Sequence, residues 1–239
     1  NLFHIYTEYK KGTDEYNSIT QMAVTERDPD GEAAGPEAGS ELKAPMDIDF
    51  ASLKSVNNDV VGWIYVEAVP DINYPIVHGK DNETYLHRTY EKNYNFAGTI
   101  FVDYENKGDF SDCNTIVYGH NMKNGSMFGS IHSFEDETFF DGHPYIYVYT
   151  ENERLTYEIY EAAKFTDVYI PSEYVISSKD DRDQFLADVR EKVSDNKLHV
   201  REDMEIGEDD RLITLSTCVS GERNHRYLVI GVLVETALY

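Results

Sequence analysis

From Gly62 onward the apolar positions fall in short β-branched or aromatic runs, broken by turn residues. Gly62–Val66, Asn73–Val77, Gly98–Val102 and Thr115–Tyr118 read as four strands. Pro144–Tyr149, Leu155–Tyr169, Arg211–Thr217 and Arg226–Val234 continue the series. Eight strands with few long helices predict a mainly β fold, a barrel or a sandwich.

Helical spacing is confined to a few places. Leu53, Val56 and Val60 recur at i, i+3 and i+7, predicting a short helix that ends before Gly62. Two more short helices are expected near 126–133 and 135–140. The longest one of the body covers about 180–193, with Asp180 or Asp181 as N-cap and Phe185, Leu186, Val189 and Val193 along one face. Residues 1–25 carry a broken helical pattern through Leu2, Ile5, Tyr6, Tyr9, Tyr16, Ile19 and Met22. Residues 26–45 hold three prolines, three glycines, four alanines and six acids without one aromatic, the composition of a linker. The organisation read from this is a helical segment over 1–25, an acidic linker over 26–45 and a folded body over 46–239.

Composition narrows the partners. The 239 residues carry a formal net charge of −24, and the linker accounts for little of it, since Arg27 and Lys43 offset part of its six acids. So acidic a surface disfavours nucleic acids and anionic lipids and favours cationic ligands, free amines among them. With only Cys113 and Cys218, the chain is not a disulfide framework. A Cys113–Cys218 bridge is one reading of the pair; a buried, inert Cys113 beside a reactive Cys218 is the other. No run of about 20 apolar residues spans a membrane, and no signal peptide is present. The chain opens without Met, and residues 1–25 read as a segment following a removed membrane anchor.

The candidate chemistry centres on Cys218, which ends the apolar strand Leu212–Thr217. Eight residues later Arg226 opens the next strand, placing a guanidinium across a turn from a thiol. A thiol nucleophile needs a basic or cationic neighbour and a donor for the developing oxyanion. Of the eight histidines, His120 stands out because it ends a strand, in Tyr118-Gly-His-Asn121. His225 adjoins Arg226 but faces the other side of its strand, which makes it a surface residue.

Tyr118-Gly-His-Asn121, Thr214-Leu-Ser-Thr-Cys218 and Arg226, in this order, resemble the signature of the sortases. Asp59-Val-Val-Gly-Trp-Ile64, Tyr74-Pro-Ile-Val77, Asp81-Asn82 with Tyr85-Leu86, and Gly98-Thr-Ile-Phe-Val-Asp103 extend the resemblance over roughly 50–235. They are similar to class B members in order and spacing, and so is the long helix between late strands. The resemblance implies an eight-stranded sortase barrel and a cysteine transpeptidase of the Gram-positive surface, single-pass anchored on the extracellular face of the plasma membrane. By motif, Cys218 attacks the Thr–Gly carbonyl of a C-terminal sorting signal and forms a thioacyl-enzyme. His120 protonates the leaving amine and later activates the incoming one, and Arg226 binds the oxyanion. The acceptor implied is a peptidoglycan amine. Ser216, two residues before Cys218 and on the same strand face, matches a class B position that faces the peptide. Leu86, Tyr169 and Ile170 match positions lining the groove, with plain core packing the competing reading for Leu86 and Ile170. The chain departs from the family at Val219, where some class B members carry an acid. Asp28-Pro29 resembles the lid motif of pilin-polymerising class C enzymes, but Asp30 replaces its aromatic, and the segment reads as linker. No orienting partner for His120 is marked, and no metal or cofactor is expected.

Four rivals are weighed at this level. A cysteine peptidase or amidase, or a pilin-polymerising sortase, would use the same residues. An L,D-transpeptidase would need a Ser-x-Gly-Cys string that is missing here. A silent wall-binding protein would not need all three residues.

Overall fold

Strand β10, Leu212–Val219, is buried on both faces through Thr217, which explains why Leu212 and Ile213 stand side by side instead of alternating with exposed polar residues. One face, through Ile213 and Leu215, enters the barrel interior; the other, through Leu212, joins a second cluster outside it. The computed structural model describes residues 2–26, 46–192 and 197–238. In chain order these form α1 (Leu2–Ala23), β1 (Val24–Glu26), β2 (Met46–Ile48) and α2 (Phe50–Val56). There follow β3 (Val60–Val66), β4 (Ile72–His78), β5 (Ile100–Val102), β6 (Asn114–Tyr118), a 3-10 helix (Gly129–Glu135), α3 (Glu137–Gly142), β7 (Tyr145–Tyr149) and β8 (Glu153–Thr166). The chain ends with α4 (Ile170–Glu173), α5 (Lys179–Glu191), β9 (His199–Val200), β10 and β11 (Glu222–Leu238).

The sheet runs β11-β10-β6-β5-β4-β3-β7-β8, and β8 pairs back onto β11. Eight strands thus close a barrel, as expected, and the two-residue β9 is appended to β8. Closure removes free edges and leaves loops at the barrel ends to carry chemistry. Helix α1 packs on the barrel through Tyr16, Ile19 and Ala23. The Tyr16 hydroxyl donates to the Gly98 carbonyl at 2.6 Å. Burial pushes that phenol above the range of an exposed tyrosine, so it remains a donor.

Several sequence expectations shift. Residues 2–23 form one unbroken helix despite their broken apolar spacing. Helix α2 stops at Val56, because Asn57 is extended and caps it. Val60 therefore begins β3, buried, and its i+7 relation to Leu53 was a coincidence of spacing. Ser178, not Asp180 or Asp181, caps α5: its hydroxyl accepts from the Asp181 amide at 3.2 Å. The two aspartates occupy the first turn, where carboxylates complement the helix dipole. The expected 126–133 helix is the 3-10 helix Gly129–Glu135. Strand β8 ends at Thr166, so Tyr169 lies outside it. Val193 and the linker positions 27–45 lie outside the described residues.

Helix α5 packs on the outer barrel wall through Phe185, Leu186 and Val189. The Phe185 ring meets Phe165 and Tyr174 edge-on at 5.9 and 5.2 Å. Ile170 and Leu228 belong to the same cluster, so the helix supports the segment that walls the cleft described next.

Candidate active site

Antiparallel pairing sets Cys218 directly opposite Arg226, which is why eight residues separate them around a tight turn. Arg226 Nη1 donates to Cys218 Sγ. The contact places a cationic donor against the sulfur. Cys218 is exposed, and Cys113 is only half-buried rather than buried as expected, its Sγ donating to the Ser177 carbonyl at 3.3 Å. Both cysteines are free, which removes the disulfide reading.

His120 reaches the same place from β6, which lies beside β10 in parallel register up to Tyr118 and Ser216. Gly119 is required between them. A Cβ there would lie 2.6 Å from both Ile100 and Phe128, so no side chain fits. His120 Nε2 sits 2.6 Å from the Leu86 carbonyl. A carbonyl only accepts, so Nε2 carries the proton and the lone pair of the neutral ring is on Nδ1. The ring also stacks on His87, with centroids 5.7 Å apart. Burial lowers the His120 pKa below the ordinary 6.5; the Leu86 hydrogen bond opposes this, and the charges of His87 and Arg226 add to it. The ring is therefore mainly neutral near pH 7. A direct ¹³C or ¹⁵N NMR titration is expected to find the His120 midpoint below 6.5; a midpoint above it would contradict the burial argument.

A cleft of about 260 Å³ gathers all seven sequence-chosen residues: Leu86, His120, Tyr169, Ile170, Ser216, Cys218 and Arg226. Ser216 is buried two residues from the thiol, opposite Leu228, which also lines the cleft. Ile170 is both wall and core, being 4% exposed and part of the outer cluster. Tyr169, at the N-cap of α4, has its hydroxyl 3.0 Å from Asp103 Oδ1 and 2.9 Å from Glu105 Oε1. The Tyr118 hydroxyl donates to Asp103 Oδ2 at 2.9 Å, and Asn82 Nδ2 does the same. Burial and these carboxylates push both phenols up, so they face the cleft as neutral groups.

The sequence reading missed what holds these residues. Leu86 orients His120 through its main-chain carbonyl, for which no side-chain signal exists. Thr217, buried, donates from Oγ1 to the Gly119 carbonyl at 2.7 Å and ties the Cys218 strand to the His120 strand. The Thr217→Val variant leaves that carbonyl without its donor, an expected loss of about 1–3 kcal/mol in urea unfolding. An unchanged unfolding midpoint would contradict the tie. Asn121, marked by the sequence only as part of the motif string, and His132, given no role there, both lie against the Cys218 carbonyl. His225 is half-exposed and pairs with Glu222, in keeping with its surface assignment. Among the described residues no group of three or more His, Cys, Asp or Glu side chains is placed to hold a metal ion.

A closed eight-stranded barrel with a thiol, a guanidinium and an imidazole around one cleft defines a class of β-barrel protein built for thiol chemistry. Residues 64–234 match the Sortase domain family. Sortase B of Listeria monocytogenes is 37% identical over 173 residues, covering 71% of this chain and 67% of that protein. A Bacillus anthracis sortase B crystal structure in complex with AAEK1 superposes with a TM-score of 0.73 at 31% identity, covering 96% of this chain and 99% of that one. The Clostridium perfringens sortase B structure gives 0.69 at 35%, covering 78% and 100%. The chain belongs to the sortase family, in class B, and is a cysteine transpeptidase.

Proposed function

We propose that this enzyme cleaves a C-terminal sorting signal between Thr and Gly and transfers the new acyl group to a cell-wall amine. The observation that carries the reading is the Arg226 to Cys218 Sγ hydrogen bond, in a cleft that His120 also lines. Cys218 passes its proton to His120 and adds as thiolate to the Thr carbonyl, and the carbonyl electrons move onto oxygen. Arg226 turns its donors to that oxyanion, which develops beside the sulfur it already contacts. Collapse expels the Gly amine, which takes a proton from the imidazolium form of His120, leaving a thioester on Cys218. The incoming amine then loses a proton to the neutral ring, attacks the thioester and releases the thiolate. Leu86, Tyr169, Ile170 and Ser216 hold the signal peptide, the apolar ones through contact and Ser216 through its hydroxyl.

Family membership makes the enzyme one of the Gram-positive surface. We assign it to the outer face of the plasma membrane as a membrane-anchored enzyme. Among the described residues no helix is long and apolar enough to cross a membrane.

A quenched fluorescent peptide ending in a sorting motif tests this reading, with and without an added amine. The expected result is cleavage, with an amide-linked product replacing hydrolysis as the amine is raised. Hydrolysis alone, with oligoglycine, diaminopimelate-type and lysine side-chain amines all ignored, would favour the peptidase reading instead.

A further inference from the structure

The peptide unit after Cys218 lies where the sheet is irregular. The last β6 pair is Tyr118 with Ser216, and the β10–β11 register shifts between Cys218 and Val219. Side chains take over at this point. Asn121 Nδ2 donates to the Cys218 carbonyl at 2.8 Å, and its other neighbours are Ser220 Oγ and His132 Nε2, each at 3.1 Å. His132 Nδ1 faces the Glu135 carboxylate and carries the proton, so Nε2 of the neutral ring accepts from Asn121 Nδ2 and holds that amide in place. The His132 ring is itself held. Its Nδ1 lies 2.7 Å from Glu135 Oε1, and its face stacks on the buried Tyr227 ring at 4.9 Å. Glu135 is partly buried, which works against its charge, but hydrogen bonds from Lys197 and His132 outweigh that and keep its carboxyl below the usual range. The chain just before the 3-10 helix holds the His120 backbone too, since the Phe128 amide donates to the His120 carbonyl at 3.0 Å.

We propose that Asn121 clamps the Cys218 carbonyl, that the His132–Glu135 pair holds the Asn121 amide, and that the three are positioning residues that thereby keep the thiol beneath Arg226. The proposal rests on Cys218 being the nucleophile. Rotation of an unclamped 218–219 peptide changes the backbone angle at Cys218 and swings the sulfur away from both Arg226 and the scissile carbonyl. A displacement of about 1 Å at reacting atoms is enough to cost on the order of 100-fold in rate. None of the three side chains lines the peptide cleft, so substrate binding should be spared.

Steady-state cleavage of the quenched sorting peptide, with melting temperatures, is measured for Asn121→Ala, His132→Ala, His132→Gln and Cys218→Ala. For Asn121→Ala and His132→Ala, kcat should fall by about 10-fold or more with KM within about threefold of the parent, as expected for misplaced reacting atoms. His132→Gln retains a side-chain acceptor for the Asn121 amide and should recover much of the lost kcat. If both alanine variants keep kcat within about twofold of the parent, the clamp is wrong. It is equally wrong if the losses only follow the melting temperature and glutamine restores nothing. Cleavage surviving in Cys218→Ala would instead remove the nucleophile assignment. An inactive Cys218→Ala beside fully active Asn121→Ala and His132→Ala would remove the clamp alone.

Discussion

Replacing Cys218 with alanine is expected to abolish both cleavage and transfer, lowering kcat by roughly 10⁴-fold or more, the scale seen when a covalent nucleophile is deleted. The variant should fold normally, because Cys218 is exposed and its contact partner Arg226 lies at the surface end of β11. Cys113 offers no substitute. It sits on the segment before β6, its sulfur bonded to the Ser177 carbonyl, and it does not line the cleft. The check is the quenched-peptide assay on folded protein, with circular dichroism alongside. Parent-like cleavage by Cys218→Ala would mean that the thiol is structural.

Arg226→Lys has the second largest expected effect, a loss of about 100-fold or more in kcat, the range found on removing one oxyanion donor. Charge is retained, so a merely electrostatic role predicts little change. The planar guanidinium presents several donors in a fixed fork, however, and can contact the sulfur and then the oxyanion without moving far. An ammonium on a flexible stem cannot reproduce both geometries. The measurement is kcat for peptide cleavage at saturating substrate, and full activity in Arg226→Lys would contradict the shared-donor role.

How much of this was legible in the chain differs by kind of contact. The β class was readable because its eight strands are short β-branched runs with clear turns, which fit a barrel or a sandwich; only the resemblance of the motif strings pointed to the barrel. Cys218, Arg226 and His120 were readable because each ends or opens such a run and falls within a motif string. Their supports were not. Leu86 acts on His120 through a carbonyl, which every residue possesses. His132 lies 86 residues from Cys218 and meets it only because the 3-10 helix folds behind β10. The Ser178 cap could have been found, since a hydroxyl three residues before an acid is itself a helix-start pattern. The neighbouring aspartates obscured it. Val60 misled for a different reason: one apolar residue at i+7 fits a helix and a strand start equally well until Asn57 is known to be extended.

Val219 marks a place where this chain and some class B members differ, and the structure gives it a local meaning. It stands just past the register shift, beside Ser220, which Asn121 contacts. The orienting work behind the nucleophile falls here to Asn121 and His132, from another element, rather than to the residue that follows the thiol.

The most direct test of the account is to trap the intermediate. The enzyme is mixed with sorting-signal peptide without an amine, quenched in acid, and mapped by peptide mass spectrometry. The account predicts a mass increase equal to the acyl fragment ending at Thr, carried as a thioester on Cys218 and released by hydroxylamine. An adduct on any other residue, or cleavage at a bond other than Thr–Gly, would contradict it.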